Sequence, residues 1–485
     1  MIIPFGRERA RASAAIVGAI AVIVGVIAAV HYHRLGLTLS HYDARGHLIV
    51  ARRIFDSITP GWQQIGAVWL PLPHLLNAIP VQSDFLYRTG ASAVALSIVS
   101  FAVATAGIAW IVTAITGSAW AAAAAATVFA LNPNVLYLQS TPMTEPLLLA
   151  LVVLGIALLV ADHHAAAGIV LALACLTRYE AWPVTVAALV FAIWVRWRDG
   201  CTLRDAVRPV RDAAVYPVVA IVGFSIFSRV VVGSWFVGSG FFVPENKSLG
   251  DAWLTIKEIA WGTQMLSHEA LVWLGAAGLA AAVVIAVWRR RDAIFVTALL
   301  AMSATPLVAF YRGHPFRIRY MVPLIAVEAI GAGIAAGALQ KIARPASVAV
   351  AAIALFTLRP LDGSAPMVVE AQWDRPNVAV RARVTECLGR PRPGEKIMAS
   401  MGSLGHYMQE ASRAGFDLRD FLHEGNGDIW LAALNEPRPF ADWLLIEEKA
   451  EGGDMLAQIA RERPAFLAGY SRVCEGAGLA LYRRN

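Results

Sequence analysis

The sequence lacks the short motifs that most directly identify a soluble nucleotide-binding or metal-dependent enzyme. It contains no G-x-G-x-x-G pattern, no P-loop, no HExxH pair, no Asp-x-Asp between its apolar runs and no internal repeat. Glycine-rich phosphate loops and histidine-pair metal sites therefore have no support. Charged residues make up only 15% of the chain. Much of the net charge of +7 lies in short segments between apolar runs, where it orients membrane helices, so we expect no nucleic-acid partner.

Long apolar runs are abundant. The chain is 58% hydrophobic with a mean hydropathy of +0.59, and runs of about eighteen or more apolar residues recur from Ala14 to Leu358. They predict a polytopic α-helical membrane domain over residues 1–358, with about eleven transmembrane helices. The predicted spans are 14–31, 88–112, 118–137, 146–161, 165–178, 182–196, 213–232, 270–288, 293–311, 321–340 and 344–358.

The chain changes character after Arg359. Charged residues, glycine and proline become common and no run can cross a bilayer, so residues 359–485 are predicted to form a separate soluble domain. This domain is predicted to be α/β, because it mixes short strand-like apolar runs with helical patterns. The predicted strands are 396–400, 443–446 and 479–482, and the predicted helices are 378–388 and 455–463.

The arginines predict which side of the membrane each segment faces. Residues 165–197 are too long for one helix and would place Arg178 and Glu180 at mid-depth, so we divide them at the turn before Pro183. The basic clusters then fall on one side, which the positive-inside rule makes cytoplasmic. These clusters are Arg7, Arg9 and Arg11, residues 196–211, residues 289–291, and Lys341 with Arg344. The N-terminus is then cytoplasmic and begins an uncleaved first span. The outward-facing segments are 32–87, 132–145, 177–182, 233–269, 311–320 and the C-terminal domain.

The first outer loop, residues 32–87, is unusually long for a connection between helices. Its segment 40–80 concentrates Asp43 with histidines and arginines among tryptophans and prolines. Asp43 has two interpretations: it is the N-cap of a helix beginning near Ala44, or it is a partly buried carboxylate that acts as a general base. The length of the loop favours the base, with His41 beside it as a substrate contact.

Two further outer positions carry candidate residues. Glu145 either starts a helix before a proline, where the helix dipole stabilises a carboxylate, or forms a second carboxylate facing Asp43. Arg178 either holds a phosphate oxygen while Glu180 orients it, or forms a structural ion pair with Glu180 that closes the turn.

The most specific local signal in the membrane domain is the segment 311–320, YRGHPFRIRY, which offers up to four donors in eight residues. It predicts a cradle for a phosphate or pyrophosphate at the bilayer surface. Contact with anionic lipid headgroups is the alternative. The candidate ligands are Arg312, His314, Arg317 and Arg319.

Two cysteines of the four, Cys387 and Cys474, lie in the C-terminal domain. If that domain lies outside the cytoplasm they can form a disulfide, and two unpaired side chains are the alternative. The histidines show no metal-ligand spacing, so we predict no metal site and no cofactor.

This combination of features resembles the glycosyltransferase-C superfamily, membrane enzymes that take a sugar from a polyprenyl-phosphate carrier. In arrangement it is most similar to the protein O-mannosyltransferases and the aminoarabinose-type lipid A glycosyltransferases, over residues 14–358. The resemblance implies that Asp43 deprotonates the acceptor hydroxyl. Several relatives carry Asp-Glu in this loop, whereas Ala44 follows Asp43 here, and Glu145 is the second candidate for the base. The implied phosphate ligands are Arg178, Arg312, His314, Arg317 and Arg319.

The sequence therefore predicts a hexosyl- or pentosyltransferase that inverts the anomeric centre in a single displacement without a metal. A glycan, lipid or protein supplies the acceptor hydroxyl, and membrane lipids surround the enzyme. The alanine- and arginine-rich composition indicates a bacterial inner membrane protein with a periplasmic C-terminal domain. One alternative is a flippase for lipid-linked sugars, which should show repeats that the sequence lacks; the other is a scaffold for envelope assembly.

Overall fold

The computed structural model describes residues 4–235, 246–449 and 453–485. The side chains of Arg7 and Arg9, and residues 236–245 of the predicted outer segment 233–269, lie outside the described part. The helices are α1 (Pro4–Arg34), α2 (Tyr42–Arg52), α3 (Leu72–Asn77), α4 (Asp84–Thr89), α5 (Ala91–Thr116), α6 (Ala119–Ala130), α7 (Pro133–Leu138), α8 (Glu145–Val160), α9 (His164–Cys175), α10 (Ala181–Arg198), α11 (Leu203–Val232), α12 (Ala252–Leu266), α13 (Glu269–Trp288), α14 (Ala304–Tyr311), α15 (Leu324–Ala338), α16 (Ala343–Leu358), α17 (Pro366–Glu370), α18 (Val378–Leu388), α19 (Met401–Ala411), α20 (Asp428–Asn435) and α21 (Met455–Glu462). The strands are β1 (Ile397–Ala399), β2 (Phe421–Leu422), β3 (Trp443–Glu447), β4 (Tyr470–Gly476) and β5 (Leu479–Arg484).

Long apolar helices lie in the N-terminal three quarters of the described chain. Within the described residues, seven segments are long and apolar enough to cross a bilayer, and α6, α8 and α9 are shorter apolar helices. This confirms the predicted polytopic helical architecture with a small C-terminal sheet; the number of spans stays a prediction. The seven segments are Ala10–Arg34, Ala91–Thr116, Leu203–Val232, Glu269–Trp288, Arg291–Tyr311, Ile318–Ala338 and Gln340–Leu358.

Two breaks in the apolar runs show where local sequence decides a helix end. The single helix predicted over 118–137 was wrong, because α6 ends at Ala130 and α7 begins at Pro133. Asn132 caps α7 by accepting the N–H of Asn134 at 3.0 Å, and a proline suits the first position of a helix. The break predicted inside 165–197 is present between α9 and α10.

Helices α13 and α15 approach each other at glycines. A Cβ added at Gly278 would lie 1.6 Å from the carbonyl oxygen of Gly331, and one at Gly331 would lie 2.1 Å from that of Gly275. The two backbones are therefore in direct contact, as small residues allow between membrane helices. Any side chain at Gly278 would push the helices apart.

The chain divides into two compact units that differ from the domains predicted from composition. The membrane unit comprises Met1–Leu35, Ala67–Leu72 and Val94–Val369. The loop–tail unit comprises Gly36–Gly66, Pro73–Ala93 and Glu370–Asn485. Most of the first outer loop thus belongs with the C-terminal residues.

The loop–tail unit is built on a mixed sheet with strand order β2-β1-β3-β5-β4. Strand β1 pairs in parallel with β2 and β3, and β5 runs antiparallel to both β3 and β4. Side chains alternate between the two faces, so Ile397 joins one hydrophobic cluster and Met398 the other. Leu48 and Ile49 of α2 are fully buried in the cluster of Ile397. Burial of each contributes about 1.5–3 kcal/mol, so α2 is part of the core of this unit.

The predicted strands of the C-terminal domain coincide with β1, β3 and β5, and the predicted helices with α18 and α21. Two strands were not predicted from the sequence: β2, which has two residues, and β4, whose apolar residues are too few to stand out. Helix α19 was not predicted either; it has glycines at 402 and 405 and a non-helical backbone at Leu404.

The structure pairs Cys387 with Cys474 in a disulfide, which joins α18 to β4 and closes a loop with a sequence separation of 87. A cross-link over a loop of this length stabilises chiefly by restricting the unfolded chain. We expect Cys387→Ser to reduce the free energy of unfolding by about 2–4 kcal/mol, measured by thermal unfolding in detergent. Cys201→Ser is the matched control, because Cys201 is a free cysteine. Equal stability of the two variants would contradict a stabilising role for the cross-link.

Stability of the loop–tail unit should fall in acid because of His423. This residue is fully buried, and burial, followed by the charge of Arg53, lowers its pKa to about 3. An unfolded histidine titrates near 6.5, so the unfolded chain binds the proton first as the pH falls. The contribution is complete above about pH 6.5 and declines by about 1.4 kcal/mol per pH unit towards pH 3. Thermal unfolding of His423→Gln should depend less on pH than that of wild type. His33→Gln, at an exposed histidine, should retain the wild-type slope.

Candidate active site

Asp43 lies in the first turn of α2, in the loop–tail unit. The helix begins at Tyr42 and its N-cap is His41, whose Nδ1 accepts the N–H of Asp43 at 3.1 Å. The alternative in which Asp43 caps a helix starting near Ala44 was therefore wrong. The Asp43 side chain is half-buried, and the N-terminal end of a helix stabilises a carboxylate.

Histidines surround this turn. The Nε2 of His41 lies 3.5 Å from Glu370, so the residue predicted as a substrate contact also caps a helix and faces a carboxylate. His47 follows Asp43 by one helical turn, which places both on one face of α2. Its Nδ1 lies 3.0 Å from the Nε2 of His74, and both imidazoles are buried. The sequence offered no signal for this pair, since the two histidines are far apart along the loop.

In the membrane unit, Arg178 lies between α9 and α10 and binds two carboxylates. Its Nη1 lies 2.9 Å from Glu145 and donates to Thr144 Oγ1 at 3.1 Å. Its Nε and Nη2 donate to Glu180 at 3.1 and 2.6 Å. Three of these contacts are hydrogen bonds, so they occupy three of the five N–H donors of the guanidinium. Burial by itself lowers the pKa of Arg178, but the charges of Glu145 and Glu180 raise it above its usual range.

Glu145 begins α8 and is fully buried. It borders a small cavity of about 10 Å³ whose walls are almost entirely apolar. A carboxylate in such surroundings needs a cation, which Arg178 provides. These contacts favour the interpretation in which Arg178 forms structural ion pairs with its neighbouring carboxylates. The cavity is lined by Phe101, Ala104, Phe129, Val135, Leu138, Gln139, Glu145, Pro146, Leu149 and Val322.

The arginine-rich segment 311–320 reaches this cluster through Arg319. The charge of Arg319 acts on Arg178 to lower its pKa, so the two guanidiniums are close enough to interact. Arg319 is half-buried, with its guanidinium carbon 5.5 Å from the Tyr320 ring centroid. Arg312 and Arg317 are exposed. The arginines of this segment therefore differ in their exposure to solvent.

His314 differs from its arginine neighbours. Its Nδ1 donates to the Pro315 carbonyl at 2.8 Å, and its Nε2 lies 3.4 Å from the Tyr320 hydroxyl. Burial lowers the pKa of His314. The hydrogen bond to Pro315 raises this pKa, whereas the charges of Arg317 and Arg319 lower it further, and the net shift is downward. At neutral pH His314 is a neutral imidazole, so the arginines supply the positive charge of this segment.

The structure brings together Glu145, Arg178, Glu180 and Arg319 in the membrane unit, and Asp43 with His41 in the loop–tail unit. Thr144 was missed as a partner of Arg178, although it directly precedes Glu145. Over residues 4–235, 246–449 and 453–485, no group of three histidine, cysteine or acidic side chains could hold a metal ion. Independence of a metal stays a prediction.

Comparison with known proteins identifies the fold. No protein-family model matches the sequence, and no curated protein matches it. The chain matches the crystal structure of ArnT from Cupriavidus metallidurans bound to undecaprenyl phosphate with a TM-score of 0.61 and 14% identity, over 96% of this chain and 97% of that one. It matches the apo state of ArnT with a TM-score of 0.57, also at 14% identity, over 94% and 97% of the two chains. The apo oligosaccharyltransferase from Archaeoglobus fulgidus gives a TM-score of 0.56 at 11% identity, over 90% of this chain and 70% of that one.

The fold is that of a multi-spanning membrane protein of the glycosyltransferase-C type. ArnT, an aminoarabinose transferase, and the archaeal oligosaccharyltransferase are both members of that superfamily, which confirms the resemblance inferred from the sequence. At these identities the likeness concerns the fold.

Replacement of Arg178 tests its structural role. We expect Arg178→Met to reduce the free energy of unfolding by about 3–5 kcal/mol, because it leaves Glu145 and Glu180 buried without a cation. Arg344→Met is the control, since this arginine is exposed and its guanidinium carbon lies over the Trp120 ring, 4.7 Å from its centroid. Thermal unfolding in detergent measures both, and a similar small loss in each would show that the Arg178 cluster adds no stability.

Proposed function

We propose that the protein is a membrane glycosyltransferase that transfers a sugar from a polyprenyl-phosphate carrier to an acceptor hydroxyl on the extracytoplasmic face of a bacterial inner membrane. One observation carries the proposal: the chain shares its fold, over nearly its whole length, with a structure that holds undecaprenyl phosphate. Arginines on the predicted outer side, which oppose the topological bias, support the same conclusion.

The arginines of segment 311–320 are the proposed ligands of the carrier phosphate. Guanidiniums form charge-assisted, often bidentate hydrogen bonds to phosphate oxygens. Arg319 is the central candidate, because it lies near Arg178, whose own charge is balanced by two carboxylates. Arg312 and Arg317 are exposed and able to meet an anion from solvent or the bilayer surface. We assign Arg178, with Glu145 and Glu180, to shaping this site.

Asp43 is the proposed general base. It accepts the proton of the acceptor hydroxyl as that oxygen attacks the anomeric carbon. The bond from the anomeric carbon to the phosphate oxygen breaks, and the polyprenyl phosphate leaves with the bonding electrons. Attack opposite the leaving group inverts the anomeric centre. A positioned base contributes about 10²–10⁴-fold to such a step, and Arg319 and its neighbours stabilise the charge that develops on the phosphate.

Glu145 is the weaker candidate for the base. Its carboxylate is fully buried and lies 2.9 Å from a guanidinium nitrogen of Arg178, whereas Asp43 is half-buried. The reaction as proposed needs no metal or other cofactor, because guanidiniums compensate the charge of the leaving phosphate. The acceptor is a glycan, lipid or protein hydroxyl.

The Asp43→Asn variant tests the base. We expect transfer from a radiolabelled polyprenyl-phosphate sugar in proteoliposomes to fall at least about 100-fold, because the amide cannot take up the proton. Asp428→Asn is the matched control, because Asp428 is also an aspartate in the first turn of a helix of the loop–tail unit and is exposed. Full activity of Asp43→Asn would exclude Asp43 as the base. Translocation of the lipid-linked sugar without any transfer would favour the flippase instead.

The Arg319→Gln variant tests phosphate binding. We expect KM for the lipid-linked donor to rise about tenfold or more, as the loss of a charge-assisted phosphate contact predicts. Arg344→Gln removes an exposed arginine outside this segment and should leave KM unchanged. An unaltered KM in Arg319→Gln would remove this residue from the proposed donor site.

A further inference from the structure

The backbone that carries Asp43 is held on both sides by residues from the C-terminal part of the chain. The Ser40 hydroxyl donates to the carbonyl of Ala371 at 2.6 Å. The Tyr42 hydroxyl lies 3.0 Å from the carbonyl oxygen of Met401 and 2.8 Å from that of Gly402, 359 and 360 residues away along the chain. All of these residues belong to the loop–tail unit.

Arg45 adds an ion pair on the other side of Asp43. Its Nη1 contacts the carboxylate of Glu410 in α19, and its Nε donates to the Leu39 carbonyl at 2.5 Å. The Arg45 and Glu410 side chains are 13% and 18% exposed, respectively. Removal from water strengthens this pair relative to one at the surface. Arg45 thus ties the start of α2 both to its own loop and to α19.

Glu410 is itself fixed by a second arginine. Arg381 of α18 donates to both of its carboxylate oxygens, at 3.0 and 3.1 Å, and to Asp374 at 2.6 Å. Burial raises the pKa of Glu410, but Arg381 and Arg45 outweigh it and hold the pKa below its usual range. Glu410 is therefore an anion shared by two arginines, so its position is restricted from two directions.

Apolar packing reinforces the polar contacts. Leu48 and Ile49 of α2 share a hydrophobic cluster with Tyr407 and Met408 of α19, and all four are buried. Helix α2 therefore cannot shift or rotate without breaking this packing together with the ion pair. Catalysis by a general base depends on such restriction, because misplacement of a reacting group by about 1 Å costs about 100-fold in rate.

We propose that residues 370–411 form a positioning element for Asp43, in which Tyr42 and Arg45 transmit the position of α19 to the turn that carries the carboxylate. This gives the C-terminal part of the chain a role in the reaction itself. The inference rests on the proposed function in one respect, that Asp43 is the base. The claim that α19 holds the start of α2 is independent of any activity.

The Tyr42→Phe variant removes one hydroxyl from this element and leaves the ring. Its matched control is Tyr470→Phe, because the Tyr470 hydroxyl also donates to a backbone carbonyl in the loop–tail unit, that of Ala441 at 2.7 Å. Glu410→Gln weakens the second contact without a change of shape. Hydrogen exchange of the α2 amides measures how tightly the start of α2 is held. The values of kcat and KM with a polyprenyl-phosphate sugar measure the effect on catalysis.

We expect α2 amide exchange to become about tenfold faster in Tyr42→Phe and in Glu410→Gln, and to stay at the wild-type rate in Tyr470→Phe. We expect kcat to fall about tenfold in Tyr42→Phe with KM for the donor within about twofold of wild type, because the base is displaced while the donor contacts are intact. Tyr470→Phe should lose thermal stability without losing kcat.

Unchanged α2 exchange in both Tyr42→Phe and Glu410→Gln would overturn the proposal, since α19 would then not hold the segment. Faster exchange with the kcat of Tyr42→Phe equal to that of Tyr470→Phe would overturn the link to catalysis. A wild-type protein that transfers sugar from no donor would instead reject the proposed function. The exchange measurement needs no turnover and decides the holding of α2 in that case as well.

Discussion

Buried charge must be balanced by a partner, and this constraint organises both units of the protein. Arg178 is held between Glu145 and Glu180 in the membrane unit, and Glu410 is shared by Arg45 and Arg381 in the loop–tail unit. Such networks add little net stability compared with apolar packing, but removing one partner is costly because it leaves a charge without compensation. They therefore select one arrangement of chain segments among many that would bury similar apolar area. In each case at least one partner comes from a different helix: Glu145 from α8 in the first network, and Arg45 and Arg381 from α2 and α18 in the second.

The helical architecture could be predicted because membrane helices follow from local composition. An apolar run of sufficient length has few alternatives in a bilayer, and the positions of Arg178 and Glu180 identified the break before α10. The break at Asn132 was missed, because the mean hydropathy of an apolar run does not reveal a single capping residue followed by a proline. His41 was missed as a cap for a related reason: general capping preferences favour aspartate, which pointed to Asp43.

The candidate site was predictable only in part. Arg178 and the 311–320 arginines stood out because they oppose the charge bias of the predicted outer face, a property visible in sequence. The sharing of Glu410 by Arg45 and Arg381 had no such signal. Arg45 and Glu410 are 365 residues apart, and nothing in the local sequence around either residue indicates the other. Composition likewise assigned the first outer loop to the membrane domain, whereas its contacts assign most of it to the loop–tail unit.

The distribution of candidate residues between the units matches the chemistry of the proposed reaction. A polyprenyl carrier partitions into the bilayer, so ligands for its phosphate belong on a unit built from membrane helices, and the proposed ligands Arg312, Arg317 and Arg319 lie on that unit. An acceptor hydroxyl arrives from outside the hydrocarbon, so its base belongs on a unit whose core is independent of lipid, and Asp43 lies on such a unit. The core around the sheet and the Glu410 network give this proposed base a rigid support. A flexible membrane loop of the same length would lack this support, since each unfixed residue retains about 1–2 kcal/mol of conformational entropy that must be lost before reaction.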